Sequence, residues 1–124
     1  MQDHEVYSAI GESGFGRLVA AFYRQVSDDD VLGAIYPKDD LAGAEERLRA
    51  FLIYRFGGPE TYIAHRGHPR LRMRHAPFRV DEAARHRWVE LMNKALDEVH
   101  FSPEIRKILT GYFESTATAM INWH

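Results

Sequence analysis

The chain has 124 residues, a length that suits a single domain over 1–124, and its 45% hydrophobic and 27% charged content is ordinary for a globular protein and argues against disorder. The formal net charge of −2 excludes a strongly basic nucleic-acid tail and a supercharged acidic one. Cysteine is absent, which excludes a disulfide scaffold, Cys-ligated zinc or iron–sulfur sites, a covalent C-x-x-C-H attachment and thiol chemistry.

No apolar run approaches the roughly 20 residues needed to span a bilayer. The start, Met1-Gln2-Asp3-His4-Glu5, is acidic and lacks the apolar region of a signal peptide, so a cytoplasmic location is expected. A chain this short has a limited core, and a large cofactor could form part of it.

The first predicted element is an amphipathic helix over 14–27, with Phe15, Leu18, Val19, Phe22 and Val26 at spacings of three and four. Before it, Gly11-Glu12-Ser13-Gly14-Phe15-Gly16 is glycine-rich but has no following Lys-Ser/Thr and no preceding strand, so it reads as a turn and not as a phosphate loop. Asp28-Asp29-Asp30 ends the helix; a short apolar piece from Val31 to Tyr36 follows, and Pro37 stops it. Asp39 or Asp40 is an N-cap for the next helix, whose face is Leu41, Ala44, Leu48, Phe51 and Leu52. Gly57-Gly58-Pro59 closes it.

Residues 60–66 allow a short helical turn, and about two turns fit between Pro69 and Pro77. Asp81 caps a long helix with Trp88, Leu91, Met92, Ala95, Leu96 and Val99 inward. Ser102-Pro103-Glu104 starts the last helix, whose apolar stripe runs through Ile105, Ile108, Leu109, Tyr112, Phe113, Thr116, Met120 and Ile121. The alternation Arg70-Leu71-Arg72-Met73-Arg74 is too isolated to make a sheet. The expected fold is all-α.

Seven histidines are spread along the chain. His65 and His68, three apart, could suit a metal, but no further carboxylate or cysteine ligands lie nearby to complete a zinc set. His4 and His124 are terminal; His86 faces away from Trp88 on its helix, and a solvated His100 suits a helix C-terminus. His75 differs: it ends a short basic segment, precedes Ala76-Pro77 and is flanked by Met73, Ala76 and Phe78. It reads either as a satisfied core histidine or as an axial ligand, since imidazole is the usual protein ligand of haem iron.

From Arg66 to Arg79 the chain has arginines at 66, 70, 72, 74 and 79 and no acid. Three readings are open: a nucleic-acid patch, a solvated basic loop, or recognition of carboxylates such as haem propionates. The negative whole-chain charge and the prolines weigh against the first. Tyr23, Tyr36 and Trp88 each carry a donor that wants a partner when buried. Any one alone reads as a core aromatic with a polar tip; the three together with His75 point to a cavity for a polar ligand.

The residues then match a known family. The chain resembles the truncated haemoglobins of group II, the bacterial oxygen-avid type. The likeness rests on Phe22-Tyr23-Arg24-Gln25-Val26, on Tyr36-Pro37-Lys38-Asp39-Asp40-Leu41-Ala42-Gly43-Ala44-Glu45-Glu46-Arg47-Leu48, on Gly57-Gly58-Pro59, and on Arg66-Gly67-His68-Pro69-Arg70-Leu71-Arg72-Met73-Arg74-His75. It covers nearly the whole chain, and the last motif is very specific.

The resemblance implies a two-over-two helical sandwich around haem b. By position, it makes His75 the proximal iron ligand, Tyr23 and Tyr36 distal phenols, and Trp88 an indole donor. Ala44 falls where ordinary globins keep a distal histidine, and Leu48 lies one turn further, over the iron. Arg47 and Arg74 match positions near the propionates, and Phe51, His68, Leu71 and Phe78 match haem-contacting positions. One departure stands at the end of the second helix, where Arg55-Phe56 replaces a frequent Tyr-Trp pair; it bears on local packing and not on the iron site.

These residues suit the group: a greasy slot from Leu41, Leu48, Phe51, Leu71 and Phe78, arginines 47 and 74 at the rim, and one imidazole whose second nitrogen can be oriented by a backbone carbonyl. The expectation is a haem protein that binds dioxygen and other diatomic ligands (NO, CO) or peroxide, with slow oxygen release. Slow release favours redox work, such as oxidation of NO to nitrate or peroxide activation, with an unidentified reductase. Oxygen transport, storage or sensing without turnover is the alternative, and a basic anion- or nucleic-acid-binding module a further one. For the haem reading no nucleic-acid partner is expected, and a homodimer stays open.

Overall fold

The computed structural model describes residues 1–36, 38–60, 75 and 78–123. Among them the regular structure is helical: α1 Val6–Val26, α2 Leu41–Arg55, α3 Glu82–Val99 and α4 Pro103–Ala119, with short 3-10 turns at Asp3–Glu5 and Leu32–Ala34. The all-α expectation is met. The sequence stretch 60–74, with His65, His68 and most of the arginine run, lies outside the described residues apart from Glu60, as do Pro37, Ala76, Pro77 and His124.

Helix α1 is longer than its periodicity suggests. It begins at Val6, itself fully buried, and the glycine-rich stretch is a break inside it and not a loop ahead of it. Gly11 has φ 67° and ψ −178°, a backbone region that is essentially glycine's alone. The helix resumes beyond it, and Phe15, Leu18, Val19, Phe22 and Val26 have no solvent exposure.

Caps fix the starts of α3 and α4. The Asp81 carboxylate accepts from the Ala84 amide at 2.9 Å, and the Ser102 hydroxyl accepts from the Ile105 amide at 3.3 Å. Each such cap stabilises a helix start by about 1 kcal/mol. Asp40 stands at the N-cap of α2 without capping it through its side chain; its carboxylate takes the Arg47 guanidinium at 3.1 Å instead. His100, at the end of α3, adopts a left-handed φ of 56° and is exposed.

α1 packs on both α2 and α3, and α3 packs on α4. The result is a pair of helices laid over a second pair. Phe15, Phe22, Leu18, Leu52, Met92, Leu96 and Leu109 fill the middle. Burial of each such side chain contributes about 1.5–3 kcal/mol before entropy is subtracted.

Arg55-Phe56 packs in its own way. Phe56 is fully buried, 6.0 Å from Phe15 and 5.1 Å from Tyr112 between ring centroids. The Arg55 guanidinium lies over both Phe56 and Tyr112 and pairs with Asp3 at 3.1 Å. At Gly57 the chain turns with φ 99°, and any Cβ there would strike the His4 carbonyl, so the turn at residues 3–5 and the end of α2 lock together only through a glycine.

The stripe of α4 ends earlier than expected. The helix stops at Ala119, and Met120 and Ile121 lie beyond it. The chain turns back there because the amides of Asn122 and Trp123 both donate to the Val80 carbonyl, at 2.9 and 3.1 Å.

Candidate functional site

A cavity of about 480 Å³ opens between the helix pairs. That is within the usual range for cofactor sites, roughly 300–1,000 Å³. Of the residues singled out from the sequence, Tyr23, Tyr36, Ala44, Arg47, Leu48, Phe51, His75, Phe78 and Trp88 all line it. Leu41 does not. It lies at the first turn of α2, against a separate recess of about 200 Å³ shared with Val26, Gly33, Tyr36 and Lys38. His68, Leu71 and Arg74 fall outside the described residues.

Sequence reasoning did not assign part of the lining. Tyr112, Phe113, Thr116 and Ala117 supply the α4 wall, and Ala84 and Arg85 a wall from the first turn of α3. Tyr112 and Thr116 carried a usable signal, two hydroxyls on an otherwise apolar stripe.

The phenols and the indole sit together. The Trp88 indole N–H donates to the Tyr36 hydroxyl oxygen at 3.2 Å. Tyr23 meets Tyr36 edge to face at 5.5 Å between centroids, and Phe22 lies against both Tyr23 and Trp88 at 5.1 and 5.3 Å. Edge-to-face pairs contribute about 0.5–1.5 kcal/mol each beyond their burial. Burial, with the neighbouring Tyr36 phenol second, pushes the Tyr23 phenol far above its ordinary value. Burial also raises Tyr36, against the opposing effect of its hydrogen bonds to Trp88 and Tyr23. Both phenols therefore keep their protons at neutral pH and remain donors. The sequence suggests three parallel donors; the geometry links them through the Tyr36 hydroxyl, which meets both Trp88 and Tyr23.

The loop bearing Tyr36 is tied to the helix bearing Trp88. Asp29 accepts from the amides of Val31 and Leu32 at 3.0 and 2.8 Å and pairs with Arg87, which also reaches Asp30 at 3.0 Å. Burial alone would raise the Asp29 carboxyl, but the Leu32 amide, Arg87 and the Val31 amide outweigh it and hold it below the ordinary range. A depressed folded value means that the unfolded chain binds the proton first as pH falls. The stability Asp29 contributes is thus complete above its ordinary value of about 3.9 and is lost as pH drops through the folded value. Thermal melts are expected to decline across that acid window in the native chain. Asp29→Asn should melt lower at neutral pH with a shallower acid decline; an unchanged slope would remove Asp29 from the acid response.

The donor set suits haem. The slot is mostly apolar, as a porphyrin requires, and His75 is the one histidine among the described lining residues. At the rim, the Arg47–Asp40 pair is 39% and 53% exposed, so it is weak and leaves the guanidinium disposed to meet a carboxylate. Phe78, 42% exposed, lies at the mouth. No described helix is long and apolar enough to cross a membrane.

The comparisons with known proteins agree with this arrangement. The family model for bacterial-like globins matches residues 5–122. The group 2 truncated hemoglobin YjbI of Bacillus subtilis is 39% identical over 116 residues, which is 94% of this chain and 87% of that protein. Among solved structures, a thermostable hemoglobin from the actinobacterium Thermobifida fusca is 46% identical with a TM-score of 0.91, covering 94% of this chain and 96% of that one. A truncated oxygen-avid haemoglobin from Bacillus subtilis is 38% identical with a TM-score of 0.90, covering 94% and 98%. A match over nearly the whole chain in sequence, with the same two-on-two fold, places this chain in the bacterial-like globin family, among the group II truncated haemoglobins.

Proposed function

We propose that this globin holds haem b through His75, binds dioxygen and releases it slowly, and serves redox chemistry. Globin membership supports the haem cofactor and oxygen binding. The observation that carries the rest is one cavity with His75 on its lining and the Tyr36–Trp88 pair on another part of it. Haem, when bound, supplies an iron that takes up a diatomic ligand and exchanges electrons. The chain would supply the remainder: His75 an imidazole nitrogen for the iron, Arg47 and Arg74 cations for the propionates, and Leu48, Phe51, Leu71 and Phe78 apolar contact.

Tyr23, Tyr36 and Trp88 supply protonated donors in a water-poor space, where a hydrogen bond to a charged acceptor contributes about 1.5–3 kcal/mol. Slow release is a poor property for delivery. It suits oxidation of NO, in which NO, dioxygen and one electron from a reductase give nitrate, or activation of peroxide. Storage or sensing without turnover is the competing use, and NO consumption in the presence of an electron donor separates the two.

The test is a titration of apoprotein with hemin. An intense Soret absorption that saturates at one equivalent, followed by a stable oxygenated spectrum after reduction, is expected. A protein that stays transparent, or one that binds nucleic acid with strong salt dependence instead, would overturn the reading.

A further inference from the structure

We infer that Asn122 is a positioning residue for His75, clasping the segment that carries the imidazole and so setting how firmly the cofactor is held. The inference rests on the haem reading above and adds to it a residue from the far end of the chain.

An asparagine side chain offers two N–H donors and one carbonyl acceptor. Asn122 commits all of these kinds of group to one stretch. Its Nδ2 donates to the His75 carbonyl at 3.2 Å and to the Phe78 carbonyl at 2.9 Å, while its Oδ1 accepts from the Val80 amide at 2.8 Å. The backbone repeats the attachment, since the Asn122 and Trp123 amides both donate to the Val80 carbonyl. The Phe78 amide donates to the same His75 carbonyl at 2.9 Å.

Neighbouring contacts close the seam. Arg85 donates to the Thr118 hydroxyl at 3.1 Å and to the Glu114 carbonyl at 3.2 Å, and the Arg79 guanidinium lies 4.6 Å from the Trp123 ring centroid. The seam thus joins the end of α4 to His75 and to the start of α3, and one side chain of it reaches the backbone of His75 directly. An axial ligand works only if its ring is held within a fraction of an ångström, and that depends on what fixes its backbone.

Asn122→Asp is the informative substitution. It keeps the shape and the acceptor for Val80 but sets an acceptor-only carboxylate against two carbonyls. Two results are expected in the reconstituted holoprotein. Transfer of haem to excess apomyoglobin should quicken about tenfold, equivalent to about 1.4 kcal/mol. The iron–histidine stretching band of the ferrous protein, seen by resonance Raman, should shift or broaden.

The shift should vanish in a His75→Gly background supplied with free imidazole, because the ring is then no longer tethered to the backbone that Asn122 holds. If Asn122→Asp does not fold, Asn122→Ala is read in the same way. An unaltered band, with or without faster haem loss, overturns the inference, as does a shift that persists with free imidazole. Failure of the wild-type chain to take up hemin would instead undo the functional reading itself.

Discussion

Replacing His75 with alanine is expected to abolish stable haem retention. Among the described residues of the cavity lining it is the one imidazole, so no described neighbour offers the iron an equivalent ligand. A cofactor that binds only the folded state stabilises it by about 2.7 kcal/mol at a hundredfold excess over Kd and about 4.1 at a thousandfold. For a domain of this size each kcal/mol moves Tm by roughly 3–5 °C, so the variant should melt about 10 °C or more below the wild-type holoprotein. It should also gain little from added hemin. Hemin titration followed by absorbance, with melts in its presence and absence, checks both points. Full occupancy with a native spectrum would contradict the assignment.

Trp88→Phe should release dioxygen faster, by about tenfold to a hundredfold, if the indole N–H supplies one charge-assisted hydrogen bond of roughly 1.5–3 kcal/mol. Stopped-flow oxygen release reads this directly, and an unchanged rate would remove Trp88 from the donor set. The 3.2 Å bond from Trp88 to Tyr36 adds a sharper expectation. Because the two groups act as a unit, Tyr36→Phe and the double variant should show non-additive effects, with a coupling on the order of 0.5–3 kcal/mol. Purely additive rates would mean that the indole and the phenol act separately.

Much of this was legible in the sequence because strong local signals agree with the fold. Asp81 and Ser102 cap the helices they were expected to cap, and the spacing of Trp88, Leu91, Met92, Ala95 and Leu96 identified the inward face of α3. The site positions followed from the resemblance, and nine of those expected in it line one cavity. What escaped depends on contacts distant in sequence. Helical structure before Gly11 was hidden because glycine reads as a breaker, while Val6 and Phe56 provide the packing that holds that end. Asp39 or Asp40 is the expected N-cap, and Asp40 takes that position, but its carboxylate pairs with Arg47, two turns along, instead of capping the helix. The Arg87–Asp29 tie and the reach of Asn122 to His75 span 58 and 47 positions, and no periodicity carries such a signal.

The indole of Trp88 already has a companion inside the protein. Any visitor that wants its proton must outbid an oxygen that is always present at full effective concentration. A feeble acceptor such as carbon monoxide gains little by that contest, whereas one that develops negative charge can win it. With Trp88 in the donor role proposed above, the cavity would screen its guests by polarity, the threshold set by a tyrosine that belongs to the scaffold itself.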